Sequence, residues 1–133
     1  MTKSRQTLFK IVLALTLILT IHLMFNYDRI TIDGAGAEIY SFMLGEDTRY
    51  SDKFSHGNFV RIKVGMTEQQ VLAKLGQPLA KFAYHWVDNK TFNSGRFIGL
   101  KYSDSPTSDN YRLRIIHIDK GVVVRVMGEF YFD

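Results

Sequence analysis

Apolar residues are concentrated near the start of the 133-residue chain. Residues 11–25 read IVLALTLILTIHLMF, with Thr16, Thr20 and His22 as the polar positions. With its apolar margins the stretch covers residues 8–27, about 20 positions, which is the length that a helix needs to cross a bilayer core. The stretch is apolar on all sides, which disfavours a helix of a soluble core. The pattern therefore predicts a transmembrane helix that contacts the lipid bilayer through residues 8–27.

Residues 28–57 show no sustained hydrophobic period and are predicted to form a spacer. Residues 29–33 are typical of a short strand, residues 34–37 of a turn, residues 38–44 of a strand or a helix, and residues 45–57 of a loop. Acidic residues outnumber basic residues by six to three in this segment. We expect a mildly acidic spacer, part of which could be ordered.

A short helix is predicted after the spacer by several independent local signals. Thr67 suits the N-cap position, and Gln70 three residues later completes a capping box. Met66 and Val71 have the spacing of a hydrophobic staple. Gly76 suits the left-handed residue that ends a helix. Together these signals predict a helix of about nine residues.

Period-two alternation of apolar and polar residues predicts four strands after this helix, over residues 82–87, 97–102, 113–118 and 122–132. The polar segments between them have turn composition, so the strands are expected to pair as an antiparallel meander. The predicted fold class is α+β. An N-terminal transmembrane helix is followed by a small two-layer domain, in which the short helix packs on a four-stranded antiparallel sheet.

The distribution of charge separates the tail from the domain. Residues 1–27, a basic tail and membrane anchor, hold three basic residues and no acidic one, whereas residues 28–133 hold 14 basic and 13 acidic residues. The basic flank of a membrane helix stays in the cytoplasm, so a single-pass inner-membrane protein with a periplasmic domain over residues 58–133 is predicted. A nucleic-acid-binding domain would concentrate basic residues on its folded body, so no nucleic-acid partner is expected.

A cleaved secretory signal is the alternative interpretation of the N-terminal segment. The tripeptide Ala35–Gly36–Ala37 resembles a signal peptidase site, but it begins ten residues after Phe25 and follows charged positions. Cleavage there would leave a free periplasmic protein. The uncleaved anchor is the preferred interpretation, because such a site normally lies closer to the apolar run.

The sequence holds no arrangement typical of catalysis or cofactor binding. The absence of cysteine excludes disulfides, thiolate chemistry and cysteine-ligated metals. His56, His85 and His117 lack the spacing of a helical metal site, and Asp104 and Asp109 suit turn formation. The sequence therefore predicts a protein that is not an enzyme and needs no cofactor.

Two short motifs resemble a known family of envelope proteins. The sequence GMTEQQV at residues 65–71 and LGQP at residues 75–78 resemble the start of the SmpA/OmlA (BamE-like) domain. Residues 115–126, IIHIDKGVVVRV, are similar to the strand, glycine turn and valine-bearing strand that end that domain. The resemblance covers about residues 58–133 and implies a helical layer on an antiparallel sheet.

The best-known member of that family is an outer-membrane lipoprotein that supports the machine folding β-barrel proteins. The resemblance therefore implies envelope proteins as partners and a role that could assist envelope or outer-membrane protein assembly. This chain has no cysteine to carry a lipid and has an anchor helix instead. Both departures favour the inner membrane.

Aromatic residues are crowded into the predicted sheet, and those outside the core would form a surface typical of protein interfaces. The candidate partner-binding residues are Tyr84, Trp86, Arg125 and Tyr131. In the last strand one side is expected to carry Val122, Val124, Val126, Phe130 and Phe132, and the other side Arg125, Glu129 and Tyr131.

These observations together predict a membrane-anchored extracytoplasmic module of the bacterial cell envelope that binds other proteins. The alternative is a periplasmic ligand-binding or enzyme-inhibitory module, which would have a concave site lined by aromatic residues. The fold alone does not decide between them, because related folds serve different partners.

Overall fold

A computed structural model of the protein describes residues 3–84, 97–107 and 109–132. The helices in these ranges are α1 (Lys3–Phe25), α2 (Tyr27–Asp33), α3 (Ala35–Leu44), α4 (His56–Phe59) and α5 (Glu68–Leu75). The strands are β1 (Arg49–Tyr50), β2 (Ala80–Tyr84), β3 (Phe97–Lys101), β4 (Ser103–Asp104), β5 (Tyr111–Asp119) and β6 (Val122–Tyr131). Strands β2, β3, β5 and β6 form an antiparallel sheet in that order, and β1 pairs with β4. The α+β class and the four-stranded meander are confirmed.

Helix α1 is long and apolar enough to cross a bilayer, and none of its residues is buried in the protein. Its threonine hydroxyls donate to the carbonyl four residues earlier, as Thr16 does to Val12 and Thr20 to Thr16. The hydroxyl donors therefore have partners within the helix and need no water. Polar groups in a lipid environment require such internal partners. A membrane span and a signal sequence both fit these features.

Helix α5 begins as the sequence predicts. The Thr67 hydroxyl accepts from the Gln70 amide at 3.2 Å, and the Gln70 side chain accepts from the Thr67 amide at 2.9 Å. The helix ends at Leu75, one residue shorter than expected, and Gly76 follows with a φ of 73°. The Gly76 carbonyl accepts from the Tyr102 hydroxyl at 3.1 Å, which fixes the helix end to the sheet.

The core lies between α5 and the central strands. Val71 and Leu75 of α5 are fully buried against Leu100 of β3 and Ile116 of β5. Leu100 and Ile116 are directly paired across the sheet, so their side chains share one face. Phe59 of α4 belongs to the same cluster. The helical layer therefore covers this face of the sheet.

A bulge in β6 overturns part of the predicted facing of that strand. Ile118 pairs with Val123, but His117 pairs with Arg125, so Val124 is an extra residue. Val123 is fully buried, whereas Val122 and Val124 are exposed. The prediction that Val122 and Val124 face the same side as Val126 and Phe130 is wrong, because an extra residue reverses the alternation.

Beyond the bulge, the predicted alternation of β6 holds. Val126 packs on the core, and Phe130 is buried. Phe132 lies after the strand, where it is exposed and its ring contacts Tyr40 at 4.8 Å.

The segment predicted as a spacer is largely structured. Residues 29–33 form part of α2 instead of a strand, and α3 replaces both the predicted turn and the ambiguous apolar stretch. Gly34, with a φ of 88°, separates the two helices. The predicted loop at residues 45–57 contains β1 and the start of α4.

Removing the cap of α5 should weaken the fold by a modest amount. We expect Thr67→Ala to lower the free energy of unfolding by about 1 kcal/mol, because the Gln70 amide then has no acceptor. Urea titration of the full-length protein in detergent measures this change. The matched control is Gln69→Ala, an exposed neighbour outside the capping box, which should be close to neutral. Equal losses in the two variants would contradict the role of the cap.

Candidate functional site

Two fully buried arginines extend the core face of β5. Arg112 and Arg114 alternate in phase with Ile116 and Ile118, so all four side chains point toward the helical layer. Ile116 and Ile118 contact the apolar core, whereas the arginines lie where α2 and α3 cover the sheet. Buried guanidinium groups require paired acceptors, because an uncompensated charge is costly in the interior.

Arg112 meets a different carboxylate with each of its nitrogens. Its Nη1 donates to Asp33 at 2.5 Å, its Nη2 to Glu38 at 2.8 Å, and its Nε to Glu46 at 2.5 Å. Arg114 donates to both oxygens of Asp33, at 2.9 and 2.5 Å. Three of the six acidic residues of the predicted spacer are therefore the partners of the sheet arginines.

A third arginine completes a balanced set. Arg29 of α2 lies 3.0 Å from Glu46 and 3.1 Å from Glu38. We name Arg29, Asp33, Glu38, Glu46, Arg112 and Arg114 the charge cluster. Three arginines face three carboxylates in it, so its formal charge is zero. Buried ion pairs need this balance and these hydrogen bonds to offset their desolvation cost.

The charge cluster also reaches the end of α1. His22 Nε2 lies 2.9 Å from Glu38 Oε1, and the His22 ring contacts the Phe42 ring at a centroid distance of 4.5 Å. The Asn26 side chain donates to the His22 carbonyl at 2.8 Å, beside the junction with α2. The last turn of the apolar helix is thus joined to the folded domain by both polar and aromatic contacts.

The surroundings of Arg112 keep its guanidinium charged. Burial acts to lower the pKa of Arg112, but the hydrogen bond to Asp33 and the negative charge of the three carboxylates raise it above its ordinary value. The guanidinium of Arg112 also lies 5.0 Å from the centre of the Phe130 ring, and that of Arg114 lies 5.7 Å from the Phe59 ring. These aromatic faces favour the cations further.

An aromatic group lies beside the charge cluster. The rings of Tyr50 and Phe54 stack at 4.8 Å, and the His56 ring meets both edge-on at 5.1 Å. Burial raises the pKa of Tyr50 to about 12. Burial and the positive charge of Arg114 lower the pKa of His56 to about 3. Both side chains are therefore neutral at pH 7.

His56 should make the stability of the protein depend on pH. The unfolded chain binds a proton at His56 near pH 6.5, but the folded protein does so only near pH 3. The contribution of His56 is therefore fully present above pH 6.5 and is lost as the pH falls toward 3. We expect His56→Phe to show a smaller loss in the free energy of unfolding between pH 7 and pH 5 than the original chain. Parallel pH profiles in urea titrations would contradict this.

The candidate partner-binding residues are only partly brought together. Arg125 and Tyr131 pair with His117 and Tyr111, so both lie on the sheet face opposite the helical layer. Arg125 is half-buried, and Tyr131 is exposed while its ring stacks on Tyr111 at 5.2 Å.

The structure says less about the other two candidates, Tyr84 and Trp86. The backbone of Tyr84 pairs with Phe97 in the sheet, and Trp86 lies outside the described residues, as does His85. Partner binding by Tyr84, Trp86, Arg125 and Tyr131 stays a prediction.

A surface pocket of about 380 Å³ lies where α5 ends. It is lined by Ser51, Asp52, Lys53, Leu72, Gly76, Gln77, Pro78 and Leu79. None of these residues is aromatic, so the pocket does not have the lining that the alternative function predicts.

The charge cluster is the feature that sequence reasoning missed. Two signals point to it once the fold is known. Arg112 and Arg114 fall on the core side of a strand, and His22 interrupts an otherwise apolar helix. Polar residues at such positions are uncommon without a specific partner.

Comparisons with known proteins add no family assignment. The chain matches no protein-family model, and neither the curated proteins nor the solved structures provide a significant match. The resemblance to the SmpA/OmlA family therefore stays a prediction.

Proposed function

We propose that the protein is a single-pass membrane protein whose extracytoplasmic domain binds other proteins of the bacterial cell envelope. The observation that carries this proposal is that α1 is apolar and exposed along its length but joined to the domain at its end. Its 23 residues bury no side chain in the protein, yet its last turn is tied to the domain through His22 and Glu38. A bilayer would cover this apolar surface.

The charge cluster favours an anchor that stays uncleaved. Removal of a signal after Ala37 would separate Arg29 and Asp33 from the remaining chain. Arg112 and Arg114 would then be buried without the Asp33 carboxylate that accepts from both. Loss of one partner of a buried ion pair is strongly destabilising. The residues between the membrane helix and the candidate cleavage site are thus part of the fold.

We further propose that partners bind the sheet face of β6 that carries Arg125 and Tyr131. Arginine and tyrosine are enriched among the residues that contribute most to protein interfaces. The anchor contacts hold the domain in a defined orientation to the membrane, which suits recognition of a neighbouring membrane or envelope protein. The resemblance to the SmpA/OmlA domain supports a role in envelope protein assembly.

Single cysteines test the proposed topology, because the chain contains none. Ser4→Cys lies in the basic tail, and Gln69→Cys lies on the exposed side of α5. We expect a membrane-impermeant maleimide to label Gln69→Cys in spheroplasts and Ser4→Cys only after lysis. The intact mass should include residues 1–37. Labelling of Ser4→Cys in intact spheroplasts, or a chain that begins at Glu38, would overturn the proposal.

Crosslinked affinity purification tests partner binding. Arg125→Ala and Tyr131→Ala should reduce recovery of specific envelope proteins while the melting temperature stays close to that of the original chain. Arg49→Ala, an exposed arginine on β1, is the matched control and should leave recovery unchanged. Equal recovery with all three variants would reject the assigned surface.

A further inference from the structure

We propose that α3 lies in the membrane–water interface on the extracytoplasmic side of the membrane that α1 spans. This position gives the domain a second contact with lipid. This inference rests on the proposed function, since it requires α1 to span the bilayer. The outward side of α3 exposes Ile39, Phe42, Met43 and Leu44, whose exposed fractions are 36%, 52%, 72% and 66%. Ile39, Phe42 and Met43 are three and four residues apart, so they share one helix face.

The position of α3 along α1 places it at the level of the interface. Phe42 contacts His22, which lies three residues before the end of α1 at Phe25. At 1.5 Å per residue this is about 4.5 Å along the helix axis. A helix that rests against the last turn of a membrane span lies at the boundary between acyl chains and head groups.

Further exposed apolar side chains lie at the junction of α1 and α2. Met24, Phe25 and Tyr27 are each at least 70% exposed at the end of α1 and the start of α2. An apolar cleft of about 240 Å³ lies between Ile21, Met24 and Phe25. Aromatic rings are favoured at this depth of a bilayer, because they are apolar with polar edges.

The chemistry of α3 indicates that its lipid contact is hydrophobic and not electrostatic. The helix contains no lysine or arginine, and its one charged residue, Glu38, is buried in the charge cluster. Helices that bind anionic lipids carry basic residues on their polar face. We therefore infer that α3 inserts equally well into neutral and anionic membranes.

Depth-dependent fluorescence quenching in reconstituted full-length protein tests this inference. A fluorophore is placed at Met43→Cys on α3, at Ile18→Cys within α1, or at Gln69→Cys on α5 as the control outside the membrane. The bilayers are phosphatidylcholine alone or an equimolar mixture with phosphatidylglycerol, each with a lipid nitroxide near the head group or deep in the chain.

The inference predicts that the Met43→Cys probe loses most of its fluorescence with the shallow quencher, equally in both lipid mixtures. The Ile18→Cys probe should respond to the deep quencher and the Gln69→Cys probe to neither. An unquenched Met43→Cys probe beside a quenched Ile18→Cys probe would overturn the α3 contact and leave the span intact. If the unquenched Met43→Cys probe is also shielded from aqueous iodide, a protein surface covers α3 instead of lipid. An unquenched Ile18→Cys probe would overturn the span and this inference together.

Discussion

Replacing Arg112 with alanine is expected to lower the free energy of unfolding by about 3–5 kcal/mol. The variant leaves Asp33, Glu38 and Glu46 with two arginines instead of three, and it removes the guanidinium that contacts all three. The side chain of Glu38 is almost fully buried and that of Asp33 is fully buried, so solvent compensates little of the lost pairing. A loss of this size is a large fraction of the stability of a small domain.

Urea titration of the full-length protein in detergent, followed by circular dichroism, measures this loss. Arg49→Ala is the matched control, because Arg49 also pairs with one carboxylate, at 3.0 Å from Asp104, but its side chain is 61% exposed. We expect the control to change the free energy of unfolding by about 0–1 kcal/mol. A loss for Arg112→Ala within that range would mean that the charge cluster does not hold the domain together.

Replacing Gly128 with alanine is expected to lower the free energy of unfolding by about 1–3 kcal/mol. Gly128 lies in β6, directly opposite Arg114, where Ile32 of α2 approaches the sheet. An added Cβ would overlap Ile32 Cγ2 and lie 3.4 Å from Arg114 Nη1 and 3.5 Å from the Phe59 ring. Because Ile32 is branched at Cβ, a helix strongly favours one χ1 rotamer, so rotation of the side chain relieves this overlap only at a further cost.

A double-mutant cycle with Ile32→Ala isolates this contact. In the Ile32→Ala background the overlapping methyl group is absent, so Gly128→Ala should cost less than about 1 kcal/mol. Gly36→Ala on the exposed side of α3 is the control, because nothing lies within 4 Å of its added Cβ. If Gly128→Ala costs the same in both backgrounds, α2 does not pack on β6 as described.

Local chemistry made part of the fold predictable. The start and end of α5 depend on residues within one turn of each other, so Thr67, Gln70 and Gly76 specify them without tertiary contacts. The strands of the meander follow from alternation over short stretches. The bulge at Val124 was not predictable, because it depends on pairing with β5.

The structure of residues 28–46 depends on distant partners. Asp33 pairs with arginines 79 and 81 residues later, and Glu38 pairs with one 74 residues later. Because the partners lie far along the chain, the sequence of residues 28–46 alone resembles that of a solvated acidic linker. One of the two signals for these partners is local: Arg112 and Arg114 are in phase with Ile116 and Ile118, so the sheet places two cations on a core face that requires anions.

Amide hydrogen exchange of the full-length protein in lipid nanodiscs tests the central claim most directly. That claim is that residues 28–46 fold onto the sheet through the charge cluster and fix the domain to its anchor. The Gly34 amide donates to Ile30 at 2.8 Å and the Gly45 amide to Ser41 at 2.8 Å, each closing a helix of this segment. We expect these helices to exchange with an opening free energy close to that of Ile116 in β5. Exchange of α2 and α3 at the rate of an unfolded chain, with β5 still protected, would show that the segment is a linker and contradict the claim.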